Sequence, residues 1–186
     1  VPYYLTASRT RGLANLESKV MGEVLVDAKA FYRDAAAGIL NNGVFPPRVN
    51  QETEYTIHWL IRNYSTDITG VEIKTFLEPG VFWVGQVKSN VDSVPLWNDE
   101  TREVKWIIDK INAAKGILND PVEVIFQVRA TPGILEVGGF KSLLGPTDLK
   151  ATDDFTGLEL KSADGGLTTA LHDDETIEPE QGRVLP

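Results

Sequence analysis

The chain has 186 residues, 42% of them hydrophobic and 24% charged, with 18 Lys and Arg against 27 Asp and Glu for a net charge of −9. This length can bury a core without covalent staples. The absence of cysteine removes disulfides, thiolate catalysis and Cys-ligated zinc, and the acidic surface makes nucleic acid a poor partner because it repels phosphates. No apolar run approaches the roughly 18–20 residues of a transmembrane helix, so membrane insertion of this segment is not expected. The sequence opens at Val1 without an initiator Met or a basic-plus-apolar leader, which reads as a processed form or a fragment of something longer.

Along the chain the governing signal is alternation with a period of two, interrupted by Gly, Pro and Asn clusters. Tyr3–Ser8 is a short candidate strand, and Asn15–Met21 carries a weak helical pattern. Glu23–Tyr32 places Val24, Val26, Ala28, Ala30 and Tyr32 on one face, with Asp27 and Lys29 on the other. Over Glu54–Asn63 the alternation is clean. Tyr55, Ile57, Trp59 and Ile61 point inward, and Thr56, His58, Leu60 and Arg62 point to a mostly wet face.

The next strand carries Val71, Ile73, Thr75 and Leu77 and stops at Glu78-Pro79-Gly80, where Pro presets φ and Gly supplies a positive φ for a tight turn. Val81–Val87 is aromatic and β-branched, and Lys88–Glu100 reads as a polar loop. Glu103–Ile108 turns Val104, Trp106 and Ile108 inward, and Val122–Arg129 does the same with Val122, Val124, Phe126 and Val128. Between them Ile107–Leu118 has near-helical spacing broken by Gly116, enough for one short turn of helix. Thr147–Ala151, Leu158–Lys161 and Leu167–Leu171 are weaker strands.

Seven or more short strands with regular turn signals predict an all-β fold, an antiparallel sandwich, and exclude the βα repetition of parallel α/β folds. A single sandwich domain is expected over residues 1–172. The acidic, Pro- and Gly-containing stretch 173–186 is expected to be a loose tail or linker.

Several motifs in order support a more specific reading. Asn42-Gly43-Val44-Phe45-Pro46-Pro47 leads into Glu54-Tyr55-Thr56-Ile57-His58-Trp59. After Asn63 come Leu77-Glu78-Pro79-Gly80-Val81, Val104-Lys105-Trp106 and Phe126-Gln127-Val128-Arg129-Ala130-Thr131-Pro132. Together, over about residues 43–132, they resemble the immunoglobulin-like "conserved repeat" domains of bacterial and archaeal surface proteins. That resemblance implies an immunoglobulin-like β-sandwich with flanking strands from 1–42 and 133–172. It also implies an extracellular or cell-surface location and a spacer, stalk, assembly or adhesive role without catalytic residues. The partners it implies are neighbouring domains or copies of the same protein. Sheet edges are natural places for copies to join, and Tyr3–Ser8 and the C-terminal stretch are the segments suited to such pairing.

Candidate sites are few. His58 and His172 lack a spaced second ligand and read as surface residues. Acidic clusters at Asp148, Asp153 and Asp154 and at Asp173, Asp174 and Glu175, with Asn119-Asp120 in the loop before Val122 as a third, are calcium candidates because Ca²⁺ takes six to eight oxygens. None follows the EF-hand spacing, and turn-forming aspartate explains them as well. Trp83 and Trp97 are the tryptophans outside the clean inward alternation, hence candidate contacts to a cell-surface glycan. Packing is the competing role for both. An intramolecular Lys–Asn isopeptide bond would substitute for disulfides, but Lys29 and Lys74 fall on outward faces.

Overall fold

The computed structural model describes residue 20, residues 22–178 and residues 180–186; the Tyr3–Ser8 candidate strand and all of Asn15–Met21 but Val20 lie outside these. Among the described residues the alternating segments become eleven strands: β1 (Val24–Phe31), β2 (Thr53–Asn63), β3 (Ile68–Phe76), β4 (Val81–Ser89), β5 (Leu96–Asn98), β6 (Glu103–Ile111), β7 (Val122–Ala130), β8 (Ser142–Leu144), β9 (Thr147–Asp153), β10 (Glu159–Asp164) and β11 (Leu167–Thr168). They form a four-stranded sheet ordered β1-β2-β7-β4, a five-stranded sheet ordered β10-β9-β3-β6-β5, and a small β8–β11 ribbon. Every pairing between these strands is antiparallel.

The register brings inward residues opposite one another. Trp59 faces Ala28 on one side and Val124 on the other, and Ile57 faces Phe126. In the second sheet Ile73 lies between Trp106 and Leu149. Tyr55, Trp59, Trp106 and Phe126 are completely buried between the sheets, and Trp59 meets Phe126 edge-on at 5.0 Å between centroids. Rings of this size dominate core energetics; truncating either buried tryptophan to Ala costs about 3–5 kcal/mol.

Three local expectations differ from the structure. The Lys88–Glu100 loop contains β5, because Leu96-Trp97-Asn98 pairs with Lys105, Val104 and Glu103. The turn of helix expected in Ile107–Leu118 is absent: β6 runs to Ile111 and reversing turns follow, since Ile108 and Ile111 are both needed against the core. Instead a short 3₁₀ turn occupies Ile134–Glu136.

The stretch 173–186 is not the loose tail expected. Val184 is fully buried, and the segment bridges to two distant places, Val184 beside Val137 and Leu185 beside Arg48. Gly182 makes this possible. A Cβ there would lie 1.7 Å from the Thr169 carbonyl oxygen, while Thr169 Oγ1 donates to the Gly182 carbonyl at 2.7 Å. Composition read the segment as solvated. Its apolar residues Ile177 and Val184, both buried, decide otherwise.

Candidate functional site

The two long sides of the sandwich are finished differently. On one side β1 and β10 face each other without pairing. The N–H groups that β1 turns away from β2 would be open to a foreign strand. Side chains cover two of them: Ser162 Oγ accepts from Val26 N–H at 3.1 Å, and Asp164 Oδ2 accepts from Ala28 N–H at 2.7 Å. Just beyond the strand, Asp174 Oδ2 accepts from the N–H groups of Tyr32 and Arg33 at 3.0 and 2.9 Å. This seam is closed by polar caps.

Of the calcium candidates, Asp174 is therefore a backbone cap, its Oδ1 also accepting from Thr176 Oγ1 and N–H. Asp173 does not share that role; burial, then the nearby charges of Asp27 and Asp164 working against Lys29, holds its carboxyl above the ordinary range. Asp153 sits at the far end of β9 and ties three segments together. Its oxygens accept from Gly22 N–H, Ser65 Oγ, Thr66 Oγ1 and the N–H groups of Phe155 and Thr156. The Ser65 bond leads the donors that, against its burial, hold the Asp153 carboxyl well below the usual carboxylate range. Asp154 accepts from Thr69 Oγ1. Asp153 and Asp154 stand at one end of the strands and Asp173 and Asp174 at the other, and among the described residues no group of three or more His, Asp or Glu side chains is placed to hold a metal ion.

His58, expected on a wet surface, is buried, 8% exposed. The chain between β1 and β2 folds back over the outer face of the first sheet and buries Ala37 and Ile39 there. Beneath it the His58 ring is held between two carboxylates, Nε2 at 2.6 Å from Asp34 Oδ2 and Nδ1 at 2.8 Å from Glu123 Oε1. Burial raises the Asp34 carboxyl, but hydrogen bonds from His58, Thr56 and the Ala37 N–H, with the charge on His58, outweigh it and leave the group below its ordinary value. Gln127, also buried on this face, donates to Asn41 Oδ1 and the Leu40 carbonyl. Nothing in the strand's alternation signals this network. It exists because a distant loop supplies Asp34.

The buried lysine is Lys141, not one the sequence singled out. Its Nζ lies 2.8 Å from Glu136 Oε1 and 2.5 Å from the Pro79 carbonyl. Lys29 is paired with Asp27.

On the opposite long side β4 and β5 end the two sheets. Here Trp83 of β4 and Trp97 of β5 stack across the seam, nearly parallel (5°) at 6.4 Å, and Trp83 stacks in turn on Phe126. Both indoles are half-buried against the core. β4 bulges between Trp83 and Val87, which pair with Val128 and Phe126, and Gly85 holds φ +91° within the bulge. Such a bulge blunts an edge.

Beside β5, on the outer face of the second sheet, lies a groove of about 690 Å³. Val94, Leu96 and Ile107 give it an apolar strip, and Asp99, Glu100 and Glu103 rim it. In a groove of about 440 Å³ farther along that face, at Glu72, Lys150 and Lys161, Glu72 is paired with Lys105 and Lys150, and Lys161 with Glu159.

Two facing antiparallel sheets with the core between them, one seam capped and one filled by stacked tryptophans, define an immunoglobulin-like β-sandwich domain with added flanking strands. No family model and no curated protein matches the chain, so the resemblance over 43–132 rests on its motifs. Among solved structures it is similar to the full-length major pilin SpaD of Corynebacterium diphtheriae (15% identity, 78% of this chain and 34% of that one, TM-score 0.49). It is also similar to BcpA, the major pilin subunit of Bacillus cereus (14%, 78% and 39%, TM-score 0.45), and to the bacterial hydrophobin BslA (10%, 80% and 97%, TM-score 0.34). The chain thus spans two fifths or less of the length of these pilins.

Proposed function

We propose that this chain is a non-catalytic structural module on the outside of a prokaryotic cell, a spacer or assembly unit that holds its neighbours at fixed geometry. The observation that carries this reading is the use made of its buried and half-buried charged groups. Asp34 with His58, Asp153, Asp164, Asp174 and Lys141 each fasten one backbone segment to another distant in sequence. In a chain without cysteine these polar latches do the work that disulfides do in other exported domains. The surface-domain motifs over 43–132 support the location.

Antibodies raised to the domain and applied to intact, unpermeabilised cells of the source organism test the reading. Surface labelling is the expected result. Label that enters only after permeabilisation overturns it.

A further inference from the structure

We propose that the groove beside β5 is a docking site for residues 3–11 of a second copy of this chain, which would join modules head to tail. The inference rests on the structural-module reading and specifies its contact.

The receiving surface has two properties that belong together. Val94, Leu96 and Ile107 are 51%, 70% and 50% exposed and lie side by side, an apolar strip of the kind that marks an interaction site. Around them stand Asp99, Glu100 and Glu103, while the one cation lining the groove, Lys105, is engaged by Glu72. The surface therefore suits an apolar segment that also carries positive charge.

The sequence holds one such segment outside the described residues. Tyr3, Tyr4 and Leu5 are followed by Arg9 and Arg11, and residues 1–19 contain three cations against a single carboxylate, in a chain whose net charge is −9. Tyr3-Tyr4-Leu5-Thr6 is composed of residues that suit an extended strand. At about 3.3 Å per residue, the eleven residues from Arg11 to Gly22 span at most about 36 Å, no more than the straight diagonal of a sheet nine residues long and ~20 Å wide.

The geometry favours another copy over the same chain. The described chain enters β1 past Gly22, whose N–H donates to Asp153 Oδ2, at the end of the second sheet where Asp153, Ile68 and Ile111 are in register. The groove lies at the opposite end, where Asn98 and Phe76 flank Glu103, and on the opposite long side from β1. The entry at Gly22 and the groove thus occupy diagonally opposed corners. A contact between two such unlike patches is heterologous, the head-to-tail arrangement that builds rings or open filaments.

The cysteine-free chain makes a direct test simple. Leu5→Cys and Leu96→Cys full-length variants, one carrying a mass tag, are mixed under mild oxidation and the heterodimer is followed by intact mass. The expected disulfide forms at least tenfold faster than between Leu5→Cys and Leu118→Cys, whose exposed position (84%) lies at the other end. Adding Asp99→Lys and Glu100→Lys, both on the exposed rim, slows it at least tenfold while circular dichroism stays unchanged. Equal rates with the control, or indifference to the charge reversal, overturn the proposal. So does a Leu5→Cys, Leu96→Cys double variant that closes on itself as a monomer at a concentration-independent rate, which would assign the groove to the chain's own segment. Surface labelling of cells without this cross-link keeps the module reading and removes only the contact.

Discussion

His58 and Asp34, 24 positions apart, meet at 2.6 Å beneath the loop that Asp34 itself belongs to. The pair explains why that loop lies against the sheet. Its aspartate accepts from His58, from Thr56 at 2.8 Å and from the Ala37 N–H at 3.1 Å. Replacing Asp34 by Ala leaves a buried ring nitrogen and a buried hydroxyl without their acceptor, so the expected cost is about 2–4 kcal/mol in urea unfolding at neutral pH. The sign of its pH dependence follows from the lowered native carboxyl. That contribution is complete above the unfolded carboxylate's titration, near ~3.9, and is lost as pH falls through the lower native value. Wild type and Asp34→Asn should therefore differ most above about pH 5 and converge toward pH 2. A difference that grows on acidification would contradict the pairing.

Trp97 makes a second, separable prediction. Its stack on Trp83 is the aromatic contact across the β4–β5 side, so Trp97→Ala should destabilise the domain by about 1–3 kcal/mol and dull the near-ultraviolet circular dichroism of the remaining tryptophans. Trp97→Phe should restore most of the loss. If Trp97→Ala unfolds at the wild-type urea midpoint, the stack contributes nothing and the indole is free for a ligand.

How much of this was legible beforehand depends on where burial comes from. For β2, β6 and β7 both neighbours in the sheet and the facing sheet impose a period of two, and the inward set Tyr55, Ile57, Trp59, Ile61 is completely buried as read. β5 and β8 have three residues each, too few for any period to show. The outer face of β2 was misread for a different reason. Thr56 and His58 look wet within their own strand, and only the returning chain from Asp34 to Asn41 covers them. The groove was hidden likewise, since Leu96 and Ile107 become neighbours only through the β5–β6 register.

Asp153 separates a latch from a metal ligand. Because its oxygens already accept from five protein donors, Asp153→Ala should cost about 1–3 kcal/mol and loosen the β2–β3 and β9–β10 turns together, visible as faster hydrogen exchange at Ser65, Phe155 and Thr156. Calcium should have no part in this. A ligand that binds only the native state raises the melting temperature by mass action, so adding millimolar Ca²⁺ or a chelator should move Tm by less than about 1 °C. A rise of several degrees with calcium would make these carboxylates ligands after all.

The C-terminal stretch offers the sharpest contrast between composition and packing. Residues 178–182 read Glu-Pro-Glu-Gln-Gly, a linker by composition, yet the segment ends with Val184 fully buried and Leu185 bridged to Arg48. Removing residues 173–186 would strip the Asp174 cap from Tyr32 and Arg33 and uncover the surface that Ile177 and Val184 fill. The expected loss is more than about 3 kcal/mol, the scale of one or two large core truncations, and aggregation on expression is an equivalent outcome. Because a truncated chain that fails to fold reports little by itself, Gly182→Val is the finer probe. Its side chain has no room beside the Thr169 carbonyl, so it should release the segment while β1 to β10 stay paired. Limited proteolysis would then cut between residues 172 and 186 in the variant and leave the wild type intact. Equal cleavage of the two proteins would return the stretch to the loose linker its composition suggests.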